Sequence, residues 1–112
     1  MKTETQIVKG ILEGCILKII STEEIYGYKT VEKLNKIGFN VNEATVYPIL
    51  ARLQHKGFLN AEKRPSPLGP ARKYYSLTQT GEDGLKDFQA IWQRISTSVN
   101  RIMEDGTNDE KK

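Results

Sequence analysis

Apolar residues recur along this chain at helical spacing in four places and alternate with polar ones in one region between them. Ile7, Ile11, Cys15 and Ile19 lie four apart, with Leu12, Ile16 and Ile20 beside them. That pattern predicts a first helix from Thr5 to about Ile20, with a stripe broad enough for a partner chain to share. In the next stretch, STEEIYGYKTVEKLNKIG, Val31, Leu34 and Ile37 are expected to face inward and Lys29, Lys33 and Lys36 outward. Ser21 and Glu24 have capping-box spacing, although a start nearer Tyr26, set by Gly27, fits as well; Gly38 ends the helix. Phe39 and Val41 then alternate with polar residues across a connection of about four residues.

The segment NEATVYPILARLQHKGFL, from Asn42 to Leu59, predicts a third helix. Asn42 can accept a hydrogen bond from a free amide of the first turn. Val46, Ile49, Leu50 and Leu53 share one face, while Thr45, Tyr47, Arg52 and His55 occupy the opposite one. Gly57 supplies the stop. Pro48 lies inside this helix, where it removes an amide and crowds the Ala44 carbonyl. A continuous, bent helix is expected; a start at Pro48 itself is the local alternative.

Phe58–Arg64 and Arg72–Thr78 read as two strands joined by the loop PSPLGPA. Tyr74 and Tyr75 should point to opposite faces, one into the core and one out. Two helices joined closely, the second followed by a hairpin, make a winged helix-turn-helix. A last helix begins near Thr78–Thr80, where Glu82 and Asp83 suit the positive end of its dipole. Leu85, Phe88, Trp92, Ile95, Val99 and Ile102 follow at alternating three- and four-residue spacing, a heptad seam that Ile91 and Met103 widen. So short a seam does not hold two helices together unaided, but it could do so beside the stripe of the first helix.

Charge gives this architecture a direction. Between Arg52 and Lys73 the chain carries Arg52, Lys56, Lys63, Arg64, Arg72 and Lys73 against one acid, Glu62, while the net charge of all 112 residues is only +3. Such a cluster suits phosphate. With 28% charged and 38% hydrophobic residues the chain should fold as one small domain for which oligomerisation would help. No run is apolar enough for a membrane span and no signal peptide opens the sequence, so a cytoplasmic protein is expected. Cys15, the single cysteine, leaves no disulfide within the chain and no cysteine metal cluster. His55 is the only histidine, and no metal-ligand set or phosphate loop is present, so neither an enzyme nor a bound cofactor is expected.

The runs NEATVYPILARLQHKGFL and RKYYSLTQTG resemble the PadR family of bacterial transcriptional regulators, as do Tyr26-Gly27-Tyr28 and Thr45-Val46-Tyr47-Pro48. The motifs cover roughly Leu12 to Gly81. The single short C-terminal helix is similar to the small subclass, which includes a multidrug-sensing repressor. The resemblance implies a dimeric repressor that contacts DNA through the third helix and the wing. One departure is Gly69-Pro70-Ala71, where relatives tend to carry another arginine after the wing glycine; Pro65, Pro67 and Pro70 leave the tip few amides to donate.

The resulting expectation is a mainly α protein with a small β-hairpin. Residues 1–80 form the winged helix-turn-helix with its N-terminal helix, 81–104 the dimerisation helix, and 105–112 a frayed tail. Residues expected at a palindromic double-stranded DNA operator are Lys29, Asn42, Thr45, Tyr47, Arg52, Lys63, Arg64, Arg72 and Lys73. Those expected at a homodimer interface are Ile7, Ile11, Cys15, Phe88, Trp92, Ile95, Val99 and Ile102. The resemblance further implies a planar aromatic effector held by Trp92, Phe88 and Ile95, because the multidrug-sensing relative sandwiches drugs between paired tryptophans. A winged helix that binds protein instead of DNA is the competing class, since fold does not fix function.

Overall fold

The computed structural model describes residues 7–105, so Thr5 and nearly all of the Asp105–Lys112 tail lie outside the described residues. The expected first helix is interrupted. Residues 7–9 are helical, Gly10 and Ile11 turn, and helix α1 then runs over Leu12–Thr22. Gly10 is the weakest helix former in the stretch, and there the Ile11 amide donates to the Val8 carbonyl at 2.9 Å, only three residues back. Leu12, Ile16, Leu17 and Ile20 are buried, whereas Ile11, Cys15 and Ile19 stay half-exposed beside them.

Ser21 and Thr22 turn their hydroxyls back onto the Lys18 and Ile19 carbonyls (2.6 and 2.7 Å), so Ser21 finishes α1 and does not open the next helix. Ile25–Tyr26 forms a short strand, β1, in a stretch read from sequence as the approach to a helix. Helix α2 follows at once over Gly27–Ile37, the start that Gly27 marks. Its inward row is Thr30, Val31 and Leu34; the Thr30 hydroxyl satisfies itself on the Tyr26 carbonyl at 3.1 Å. Ile37, expected inside, is 74% exposed, because it sits in the final turn beyond the packed surface and Phe39 and Val41 cover the core instead. Gly38 closes the helix at φ 132°, a conformation that a side chain would strain.

Helix α3 spans Glu43–His55 without a break at Pro48, and Val46, Ile49, Leu50 and Leu53 are all buried. Strands β2 (Leu59–Ser66) and β3 (Gly69–Leu77) and helix α4 (Gln79–Asp105) complete the chain. The sheet has the order β1-β3-β2 and is antiparallel throughout, so the expected two-stranded hairpin gains a third strand. Ile25 pairs with Tyr75 and Tyr26 with Tyr74, while β2 and β3 pair from Leu59–Leu77 out to Arg64–Arg72. The seven-residue loop expected at the tip shrinks to a turn at Pro67 and Leu68. Pairing resumes at Ser66–Gly69 past a bulge that sets Pro70 and Ala71 against Pro65. Tyr75 is buried and Tyr74 lies on the other face, half-exposed, as the pleat requires.

The core joins Leu12, Ile16, Leu34, Val46, Leu50, Leu53 and Leu59 from α1, α2, α3 and β2. Each buried leucine or isoleucine contributes roughly 1.5–3 kcal/mol. Helix α4 meets this core only at its beginning. Thr78 caps it by accepting from the Gly81 amide at 3.0 Å, and Gly81 and Leu85 are its buried residues. One turn later Phe88 lies flat over Gly14 of α1, where an added Cβ would fall 2.2 Å from the ring. Among the described residues no side chain of the helix beyond Phe88 is buried, and the molecule is 65 Å long but only 20 Å thick. Among the described residues no helix is long and apolar enough to cross a membrane.

Candidate nucleic-acid interface

The polar face of α3 begins at its cap. The Asn42 side chain accepts from the Thr45 amide at 3.1 Å and lies 3.4 Å from the Thr45 hydroxyl, so both residues first serve to start the helix. Tyr47, one turn in, leans across to α2, and a Cβ on Gly27 would stand 2.8 Å from its ring. Burial, then the Glu43 carboxylate and Tyr28, push the Tyr47 phenol above its ordinary pKa. Tyr75 is shifted the same way by burial and by Tyr47. Both phenols therefore remain protonated donors near neutral pH.

Around Tyr47 a cavity of about 440 Å³ opens between α2, α3 and β3, lined by Tyr26, Tyr28, Tyr47, Tyr75, Arg72 and Lys73. The cavity thus touches Tyr47, Arg72 and Lys73 at once, Arg72 and Lys73 reaching it from alternate faces of β3. It adds Tyr28, whose signal was the Tyr26-Gly27-Tyr28 motif. Lys29 does not join them. It pairs with Glu32 at 3.5 Å and lines a larger cavity between α1 and α2 with Lys18, Glu23, Lys33 and Lys36. There Lys33 hydrogen-bonds Glu23 and holds that carboxyl below its ordinary pKa.

Other cations are already engaged. Arg52 donates from both Nε and Nη2 to one oxygen of Glu13 at 2.9 Å, and Lys56 approaches the second oxygen at 3.5 Å. Glu13 thereby ties the end of α3 to α1. Arg64 bridges Glu24 and Glu62 at 2.5 and 2.9 Å, which raises its pKa further. Lys63 and Lys73 face each other across β2 and β3, exposed, with no carboxylate within 4 Å among the described residues.

A helix cap, a partly buried tyrosine and a basic two-stranded wing arranged in this order are matched in sequence. The model of the PadR-like transcriptional regulator family aligns with residues 16–87, more than half of the chain. The chain belongs to the PadR-like family. PadR-like proteins are DNA-binding transcriptional regulators, and DNA is accordingly a partner of this winged helix. A PadR-like regulator of Bacillus cereus is 47% identical, with 88% of this chain and 96% of that one aligned at a TM-score of 0.79. A Streptococcus transcriptional regulator is 41% identical over 88% of this chain and 97% of its own, at a TM-score of 0.78. A transcriptional regulator of Mycobacterium tuberculosis is 30% identical, covering 75% of this chain and 78% of its own length. All three are named as transcriptional regulators.

In this PadR-like chain the residues expected at a dimer interface lie in two groups. Ile11 caps α1 and Cys15 lies within it, with Phe88 of α4 packed on Gly14 beside them. Burial raises the Cys15 thiol above its ordinary pKa. Trp92, Ile95, Val99 and Ile102 project from the free part of α4, from 41 to 63% exposed, and Ile7 is exposed near the start of the described chain.

Proposed function

We propose that this PadR-like regulator works as a cytoplasmic homodimer on a roughly palindromic DNA operator, as a repressor that a planar aromatic molecule releases. The free apolar stripe of α4 carries the reading: Ile91, Trp92, Ile95, Val99, Ile102 and Met103 stand unburied on a helix that has left its own domain. A contiguous apolar face of this kind marks an interaction surface, and its heptad spacing suits a second copy of the same helix. Two-fold pairing would present two copies of α3 to successive major grooves about one turn apart. Thr45 and Tyr47 near the start of α3 are then placed for base edges and phosphates. Lys63 and Lys73, with no carboxylate within 4 Å among the described residues, are the wing's best phosphate ligands; Arg72 lies over the Tyr26 ring, and Lys29, Arg52 and Arg64 share their charge with acidic neighbours. The effector reading leans on Trp92 at the middle of the stripe and Ile95 beside it, which in a pair would bracket an aromatic layer.

Sedimentation and DNA binding test this together. The wild-type chain should sediment as a dimer, and Ile95→Asp as a folded monomer with lost operator affinity, because an aspartate buried at an apolar seam is costly. A native dimer of Ile95→Asp would refute the interface. About three to four phosphates neutralised per subunit predict a slope of log affinity against log salt near −5 to −7. A planar cationic dye should quench Trp92 and release the operator; Trp92→Ala should abolish that response and leave the dimer intact.

A further inference from the structure

The face of the sheet turned away from Tyr75 carries four side chains in a row. The Arg72 guanidinium lies 4.3 Å from the centre of the Tyr26 ring. Tyr26 meets Tyr74 edge-on, with centres 5.4 Å apart and planes inclined by 62°. Tyr74 in turn lies 4.8 Å from the Arg64 guanidinium. Strand register produces the row: Tyr26 opposes Tyr74, Arg64 opposes Arg72, and Arg72 and Tyr74 are two residues apart on β3. Glu24 and Glu62 close its far end on Arg64. The row crosses all three strands, and Tyr26 is the residue from which α2 starts. Lys63 and Lys73 oppose each other in the alternate register and so belong to the other face.

We propose that the wing divides its cations by face: Arg72 and Arg64 are positioning residues that hold the hairpin to β1 through Tyr26 and Tyr74, while Lys63 and Lys73 make the wing's phosphate contacts. The proposal rests on the DNA-binding reading above and assigns its wing residues. Guanidinium is planar and weakly hydrated, so it stacks on an aromatic face where an ammonium prefers water or a phosphate oxygen. Turning Arg72 to DNA would strip the Tyr26 ring of its cation, and turning Arg64 would break two carboxylate bonds as well. The row matters because β1 offers the hairpin only two paired residues, and a hairpin with so little support is marginal. With the row intact, the segment beyond Arg64 and Arg72 keeps a fixed angle to α2, and through the Gly27–Tyr47 contact to α3. Rings that touch no DNA therefore set where the lysines reach.

The test uses the full chain and a fluorescein-labelled duplex that the wild-type protein selects from a random-sequence pool. Arg72→Lys keeps the charge and loses the planar stack, and should weaken binding about two- to fivefold per protomer. Tyr26→Leu should weaken it as much with no charge removed, Tyr26→Phe should bind like wild type, and Arg72→Gln should cost little more once Tyr26 is leucine. Lys73→Gln should flatten the salt slope by about one per protomer. Wild-type binding by Arg72→Lys or by Tyr26→Leu overturns the proposal, as does additivity of Tyr26→Leu with Arg72→Gln. If no duplex is selected, the DNA reading fails and takes the phosphate assignment with it. The positioning role is read without DNA: amide hydrogen exchange at Tyr26 and Tyr74 should quicken in Arg72→Gln while the thermal melt of the core is unchanged. Exchange that does not quicken overturns that role.

Discussion

In α3, Val46, Ile49, Leu50 and Leu53 recur at three- and four-residue spacing and lie inside the domain, Leu53 with no exposed surface. In α4, Ile95, Val99 and Ile102 recur at the same spacing and lie outside it. Periodicity is alike in the two helices, and so is the free energy that burying either stripe would release. What differs is supply. Around α3 the chain provides α1, α2 and β2 as covers; past Phe88 no residue of α4 is buried among the described residues. An apolar stripe therefore reports that a face is to be buried, and the surrounding topology decides whether the cover comes from within the molecule.

The difference can be broken in order of size. Leu53→Ala should cost about 2–5 kcal/mol, by cavity formation in a site that cannot collapse, and the loss of melting temperature should be the same at every protein concentration. Ile95→Ala removes roughly three buried carbons, or about 2 kcal/mol per chain, only where a second copy covers the stripe. Its destabilisation should shrink on dilution, and a concentration-independent loss would place the cover inside the protomer. Gly14→Ala drives a methyl into the Phe88 ring and should cost about 1–3 kcal/mol, loosening α4 from α1 with the core of α3 untouched. Chemical denaturation followed by Trp92 fluorescence would report it.

Much of the architecture could be read along the chain because its signals are local. Asn42 and Gly57 bracket α3, the seam from Leu85 to Ile102 gives α4, and the alternation of Tyr74 with Tyr75 gives the wing its inner face. What escaped depends on pairs distant in sequence. Strand β1 is two residues long and exists only because Tyr75 and Tyr74 pair with it. Glu13 reaches Arg52 and Lys56 across the domain, so a face that reads as free positive charge is partly neutralised. PSPLGPA reads as a seven-residue loop, yet a bulge accommodates Pro65 and Pro70 within paired strands.

Two smaller effects sharpen the same contrast between covered and open surface. Glu13→Gln breaks a pair in which Arg52 is half-exposed, so stability should fall by less than about 1 kcal/mol, and less still in high salt. Glu23 is held below its ordinary value of 4.5 by the hydrogen bond from Lys33. Its contribution is complete above that value and is lost as pH falls through the lowered one, and Lys33→Gln should remove this dependence. An NMR titration of the Glu23 carboxyl checks the direction.

The hairpin also has a consequence for how the chain behaves in a crowded solution. β2 is unpaired along its outer rim, and β3 is unpaired on its far side from Gly69 to Lys73, because β1 reaches only Tyr74 and Tyr75. Open rims of this length are templates on which another molecule's strand could add and polymerisation begin. Here the rims carry Pro65 and Pro70, which offer no amide to an incoming strand, and Lys63 and Lys73, which repel a like-charged copy. The same cations that suit the wing to nucleic acid keep it from adding to itself.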